Sequence, residues 1–374
     1  MIPINQERLV KQFMDFVRID SPIFAEAPFV HALGEELSKL GLRWENDRTG
    51  QNGAGNLLAL LPGTAPEIPP VLLCMHLDTV EPGRGIKPRV ENGEIRSDGT
   101  TVLGADSKAA IASTLEAIRW LQADRPPHGD MEFFFTWGEE RGHRGAKAFD
   151  YSRVRSKVGF VPDGGGPLGT VITQAPFYES IQALFQGRAA HAGISPEKGI
   201  NAIVMAGQAL TRVSLGRLDQ ETTANFGWIK GGSGRNTVPE QVEMEGKVRS
   251  LSLEKLQIQV AKIQSAPESS AREAGGRVIV EVKREYDGYR IREGDLPARI
   301  AVAATRAAGL APVITPTCGG SDANELNANG IAAVVLGMGG GGYHTFEEHI
   351  STSELVKCTE WIAALVTSAA KQSC

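Results

Sequence analysis

Cysteine is scarce in this 374-residue chain: Cys74, Cys318, Cys358 and Cys374 stand alone, with no paired spacing. So few, so scattered, exclude a disulfide framework and a paired-cysteine zinc site, and a reducing cytoplasm is the expected setting. No stretch approaches the roughly 18 consecutive apolar residues that a membrane-spanning helix needs. The opening Met-Ile-Pro-Ile-Asn-Gln-Glu has no basic stretch followed by an apolar core, so no secretory leader is expected. An excess of positive charge is also missing. Lys+Arg number 39 against 44 Asp+Glu, a net charge of −5, which argues against a nucleic-acid partner.

Glycine and proline are plentiful, 43 and 20 residues, which favours many tight turns over a pure helix bundle. At roughly 150 residues per domain, the length suggests two or three domains. Apolar spacing through Leu9, Val10, Phe13, Phe16 and Val17 predicts a helix, and a second runs through Leu33, Leu37 and Leu40 to Gly41. Apolar runs at residues 57–61, 71–75, 131–137, 158–161 and 331–336 read as buried strands. Helical patterns at 108–122 and 355–370 separate some of them. Strands alternating with helices predict the α/β class, a mostly parallel sheet covered on both faces. Asn92-Gly93 within residues 88–97 signals a hairpin.

The middle of the chain is patterned differently. Residues 177–185 and 241–248 alternate apolar with polar, as half-exposed antiparallel strands do. Helical patterns at 200–213 and 253–263 and a closing strand at 277–282 complete a β-α-β-β-α-β order, a ferredoxin-like α+β sandwich. The expected organisation is one catalytic domain, residues 1–175 and 288–374, with an inserted domain at 176–287.

Chemistry-bearing residues follow the apolar strands. His76-Leu77-Asp78 comes after residues 71–75, Gly138-Glu139-Glu140 after 131–137, and Pro162-Asp163 after 158–161. A glycine loop ending at Tyr343-His344-Thr345 follows 331–336, and Asp106 stands just before the helix at 108. The carboxyl ends of parallel strands converge on one crevice. Two histidines and several carboxylates would meet there, too much negative charge to bury unpaired, and divalent cations would neutralise it. Imidazole and carboxylate without thiolate suit zinc, with cobalt or manganese as substitutes. Two histidines and three carboxylates can hold two ions if one carboxylate bridges. The glycine loop lacks a following Gly-Lys-Ser/Thr, which weighs against phosphate binding.

These residues stand in a familiar order. His76-Leu77-Asp78-Thr79-Val80-Glu81-Pro82-Gly83, the run from Ser97 to Asp106 and the run from Thr136 to Ala146 resemble three motifs of a dinuclear zinc metallopeptidase family, in its peptidase T branch. That family includes aminoacylases, carboxypeptidase G-like enzymes and succinyl-diaminopimelate desuccinylases. Ala190-His191-Ala192-Gly193, Asn236-Thr237-Val238-Pro239 and Gly319-Gly320-Ser321-Asp322-Ala323-Asn324 also fit, so the resemblance spans nearly the whole chain.

The resemblance implies that His76 and Asp163 bind one zinc ion, Glu140 and His344 the other, and that Asp106 bridges them. Asp78 would orient His76, and Glu139 would be the general base that takes a proton from a metal-bridging water and delivers it to the leaving nitrogen. The inserted domain would serve as lid and dimerisation domain. His191 would reach the partner subunit's site in a homodimer and stabilise the oxyanion, while Arg235 and Asn236 contact substrate. The implied activity is hydrolysis of amide bonds in small peptides, as an aminopeptidase on short peptides. Alternatives are an N-acyl amino acid amidohydrolase, a carboxypeptidase-type enzyme of the same family and an inactive metal-binding scaffold. One departure is visible: Ser107 stands where the family usually has a second Asp, a position that often follows a cis peptide bond and is not a ligand in the family pattern.

Overall fold

The computed structural model describes residues 2–372. The chain divides into two compact units, one running to Gln174 and resuming at Arg290, the other Ala175–Tyr289. Cys374 lies outside the described residues, and Cys74 and Cys358 are free thiols. Among the described residues no helix is long and apolar enough to cross a membrane.

The first unit is built on a nine-stranded mixed sheet. Its centre is four parallel strands in the spatial order Met131–Thr136, Val71–His76, Val158–Gly164, Ala332–Gly337. The first two are buried along their whole length, which is why they read as unbroken apolar runs. Leu57–Leu61 is a strand as its sequence suggests, but it pairs antiparallel with Met131–Thr136. Its burial alternates between full and partial, the mark of a strand toward the sheet's edge.

Side chains alternate across the central strands. Leu73, Met75, Phe133 and Phe135 enter one large core with helices Gln6–Val17, Ala27–Lys39, Ala105–Asp124, Leu296–Ala307 and Thr352–Gln372. Phe134 turns to the other face, against Phe149 and Tyr151. Asn92 and Gly93 both take positive φ, 53° and 84°, between strands Arg89–Glu91 and Glu94–Arg96, which is the hairpin the sequence signals. Because Phe133 is fully buried, Phe133→Ala should cost about 3–5 kcal/mol of stability, read from urea denaturation.

The second unit has the β-α-β-β-α-β order. Its main strands lie as Thr222–Gly231, Gln241–Ser250, Phe177–Gln186, Arg277–Tyr286, all antiparallel, with helices Ala202–Thr211 and Leu253–Glu273 packed on the sheet. The second helix runs ten residues beyond the apolar pattern that signals it, through Pro267 to Glu273. Thr222–Gly231 carries few buried side chains, so its apolar signal is weak in the sequence.

Candidate metal centre

The four parallel strands end on the same side of the sheet, and each delivers a polar residue there. His76 is the last residue of its strand. Glu139 and Glu140 open the short turn that follows Thr136. Asp163 lies inside the strand Val158–Gly164, and its extended backbone turns the carboxyl inward. His344 follows the glycine loop after Gly337, where Gly339, Gly340, Gly342 and His344 itself all take positive φ. A Cβ on Gly342 would lie 2.6 Å from the main chain of Glu347, so only glycine lets the loop close there. Asp106 sits at the start of Ala105–Asp124 but keeps extended dihedrals, φ −80° and ψ 113°. The Asp106–Ser107 peptide bond is cis.

The five groups converge. His76 Nε2 lies 3.0 Å from Asp106 Oδ1 and 3.4 Å from Asp163 Oδ1. His344 Nε2 lies 2.9 Å from Glu140 Oε1 and 3.4 Å from Asp106 Oδ2. Asp106 thus turns one oxygen to each histidine. Nitrogen and oxygen ligands at about 2.0–2.1 Å around a tetrahedral zinc ion stand roughly 3.3 Å from one another, so these separations fit two adjoining cation positions. Ligand atoms of His76, Asp106 and Glu140, one from each, also lie within 4.8 Å of one another.

The electrostatics point the same way. Burial raises the Asp163 carboxyl well above the usual range, and the neighbouring Asp106 charge adds to it. Burial likewise raises Glu139, again with help from a neighbouring charge, that of Asp163. Burial works against protonation of His76, but the surrounding aspartates, Asp106 first, hold its pKa well above the ordinary value. Hydrogen bonds to Asp106 and Glu140 push His344 up to about 10. Both imidazoles are driven to carry positive charge because the carboxylates demand it, and divalent cations would meet the same demand.

Asp78 is fully buried and ties two ligand-bearing segments together. His76 Nδ1 lies 2.9 Å from the Asp78 main-chain oxygen, nearer than the 3.5 Å to its carboxylate. The carboxylate instead accepts the N–H groups of Glu139 and Glu140, at 3.0 and 3.1 Å. The ring is therefore oriented mainly by the backbone, and the carboxylate fixes the turn that presents both glutamates.

The remaining sequence-predicted residues belong to the second unit. His191 is exposed, and its Nδ1 accepts the N–H groups of Gly193 and Ile194 at 3.2 and 3.1 Å, which leaves the proton of the neutral ring on Nε2. Ala192 N–H donates to the Asn236 carbonyl at 2.9 Å, so the loops of His191 and Asn236 are stitched together, with Arg235 and Asn236 both exposed.

Several residues given no role from sequence stand around the centre. His143 is buried, with Nδ1 3.3 Å from Glu325 and Nε2 3.5 Å from Glu139. Asp322 is buried and accepts from Thr136 Oγ1 and, at 3.7 Å, from Cys74 Sγ. Lys108 is buried under the site, donates to the Ile19 carbonyl at 2.8 Å, and is pushed down to about 7 by burial. Glu26 Oε1 accepts from Phe24 and Gly138 at 2.9 and 3.1 Å and so pins the turn just before Glu139.

Burial raises Glu26 from an ordinary 4.5 to about 7. Across that window the native state binds more protons than the unfolded chain, so Glu26 lowers stability as pH rises from about 4.5 to about 7. Glu26→Gln lacks this loss. Its stability relative to the wild type should therefore be greater at pH 8 than at pH 5, as measured by urea denaturation.

Imidazole and carboxylate groups gathered at the carboxyl edge of a parallel sheet, with a carboxylate between two histidines, define the class of metal-dependent hydrolases. Residues 72–368 match the peptidase family M20/M25/M40, and the chain belongs to that family. It is 41% identical to the uncharacterised protein YqjE of Bacillus subtilis strain 168, over 98% of this chain and 100% of that one. A crystal structure of the aminopeptidase PepT of Bacillus cereus ATCC 10987 matches with 42% identity and a TM-score of 0.92, covering 98% of this chain and 99% of that one. A tripeptidase from Staphylococcus aureus Mu50 matches with 35% identity and a TM-score of 0.95, over the same shares of each chain. The fold is that of the family, and the protein is a metal-dependent peptide hydrolase of the peptidase T type.

Proposed function

We propose that the chain is an aminopeptidase on short peptides, of the tripeptide type, with two divalent cations per subunit. Zinc suits the donor set, and cobalt or manganese can substitute. His76 and Asp163 hold one ion, Glu140 and His344 the other, and Asp106 bridges. The observation that carries this reading is the split of Asp106, with Oδ1 toward His76 and Oδ2 toward His344. The similarity to proteins named aminopeptidase PepT and tripeptidase supports the choice of substrate.

When bound, the ions supply Lewis acidity that polarises a carbonyl and acidifies water. The chain's own residues do the rest. Glu139 accepts a proton from water and returns it to the leaving amine. Burial raises the basicity of its carboxyl, in the direction this role needs. Asp78 holds the turn on which Glu139 rides. Across the proposed dimer, His191 would offer its Nε2–H as a hydrogen bond to the oxyanion forming in the partner subunit's site, and Arg235 and Asn236 would contact the substrate.

The proposed enzyme is a cytoplasmic homodimer. The free thiols suit a reducing compartment. Trp228 and Ile229 are exposed on the part of strand Thr222–Gly231 that lies beyond its pairing with Gly216–Arg217, where a second copy would cover them. A panel of di-, tri- and tetrapeptides with free and blocked amino termini tests the reading. Cleavage of free tripeptides is expected, lost on chelation and restored by zinc, cobalt or manganese. Cleavage only of blocked substrates would overturn the aminopeptidase reading.

A further inference from the structure

Glu348 lies four residues beyond His344 and is almost wholly buried, 2% exposed. Among the described residues its carboxylate makes no ion pair. It is filled instead by four main-chain donors from a segment more than 240 residues away. Oε2 accepts from Leu103 and Gly104 at 2.7 and 2.9 Å, and Oε1 from Ala105 and Asp106 at 2.8 and 3.3 Å. Leu103 and Gly104 precede helix Ala105–Asp124, and Ala105 and Asp106 are its first two residues, set off from the regular helix by the extended Asp106. That helix has Gly104 at its N-cap, in a left-handed conformation with φ 72°, and no side-chain cap of its own. The Glu348 carboxylate satisfies main-chain N–H groups that would otherwise be buried without an acceptor.

The placement of Glu348 is itself fixed. Gly341 and His349 exchange both main-chain hydrogen bonds at 3.0 Å, closing the base of the His344 loop. The strand His349–Ser351 then pairs with Glu94–Arg96. One side chain thus joins the loop that carries His344 to the backbone that carries Asp106, the two residues that must share a cation.

We infer that Glu348 is a positioning residue that holds the Asp106 backbone so that its two carboxylate oxygens face the two cation positions. The inference rests on the proposed metal centre. Glutamine at this position would keep one acceptor oxygen and aim an amide donor at two N–H groups. Aspartate would keep both oxygens but withdraw them by one methylene, about 1.5 Å. Alanine would leave the four donors without a carboxylate.

The test compares metal-free wild type, Glu348→Gln, Glu348→Asp and Glu348→Ala by titration with Co²⁺. Binding and visible absorption spectra are followed below the Tm of the least stable folded variant, with steady-state kinetics alongside. The wild type is expected to take up two equivalents. Glu348→Gln and Glu348→Ala should bind the second equivalent at least tenfold more weakly, with an altered spectrum and a kcat reduced about 100-fold. KM should stay within threefold, and Glu348→Asp should recover part of both binding and rate. A merely structural residue would lower Tm and leave Co²⁺ affinity and spectrum unchanged. A folded variant with wild-type affinity for both equivalents, wild-type spectrum and unchanged kcat would overturn the inference. If glutamine and alanine prevent folding, the aspartate variant decides by the same readings. A wild type that takes up no Co²⁺ would overturn the metal centre itself, and the inference with it.

Discussion

Glu139→Gln should lower kcat by about 10³-fold while both cations stay bound. Glu139 is 8% exposed and does not pair with His76 or His344, so losing its charge leaves the proposed ligand set whole. Its N–H is held by Asp78 at 3.0 Å, and the amide of glutamine is nearly isosteric, so the turn should keep its shape. What is lost is the ability to take and return a proton, a contribution that typically spans about 10²–10⁴-fold. Metal analysis alongside steady-state kinetics makes the check. Full activity in a variant that still holds two ions would assign the proton to another group.

Asp106→Asn should be more damaging. Among the described residues Asp106 alone pairs with both histidines, and burial by itself works against its charge. In the absence of metal, hydrogen bonds from His344 and His76 outweigh burial and hold its carboxyl well below the ordinary range. Asparagine offers one oxygen and one amide donor, so one of the two positions loses its anionic ligand. We expect the variant to retain at most one equivalent of metal and to lose at least about 10⁴-fold in kcat/KM, which corresponds to about 5.4 kcal/mol of transition-state stabilisation. Elemental analysis after dialysis and kinetics at saturating metal measure the two effects separately. Two tightly bound ions in Asp106→Asn would show that the bridge is not needed for assembly.

The groups that meet at the sheet's carboxyl edge were legible because short apolar runs end where chemistry begins. His76, Glu139, Glu140 and Asp163 all lie at or within a few residues of a parallel strand's end, and the topology of such sheets brings those ends together. The inserted unit was legible for a different reason: its strands alternate where those of the first unit do not. What the sequence left unassigned is the layer beneath. Glu348 binds backbone rather than a partner side chain, and Glu26 does the same, so no pattern of charges marks either one. His143 and Asp322 sit within runs that fit family motifs, yet only the fold reveals that they border Glu139 and Thr136. The antiparallel pairing of Leu57–Leu61 was hidden too, since a five-residue apolar run looks the same in either direction.

The connection between the two units has a practical consequence. The chain leaves the large sheet after Gln174 and rejoins it at Arg290, and the N–H of Ile291 donates to the carbonyl of Thr173 at 2.8 Å. The point of departure and the point of return are neighbours, no farther apart than the two arms of a tight turn. Everything from 175 to 289 is, in topological terms, one very long loop on an edge that would close without it. That makes the junction a natural grafting point: a short turn could replace the module outright, and a foreign module with adjacent ends could be spliced in its place.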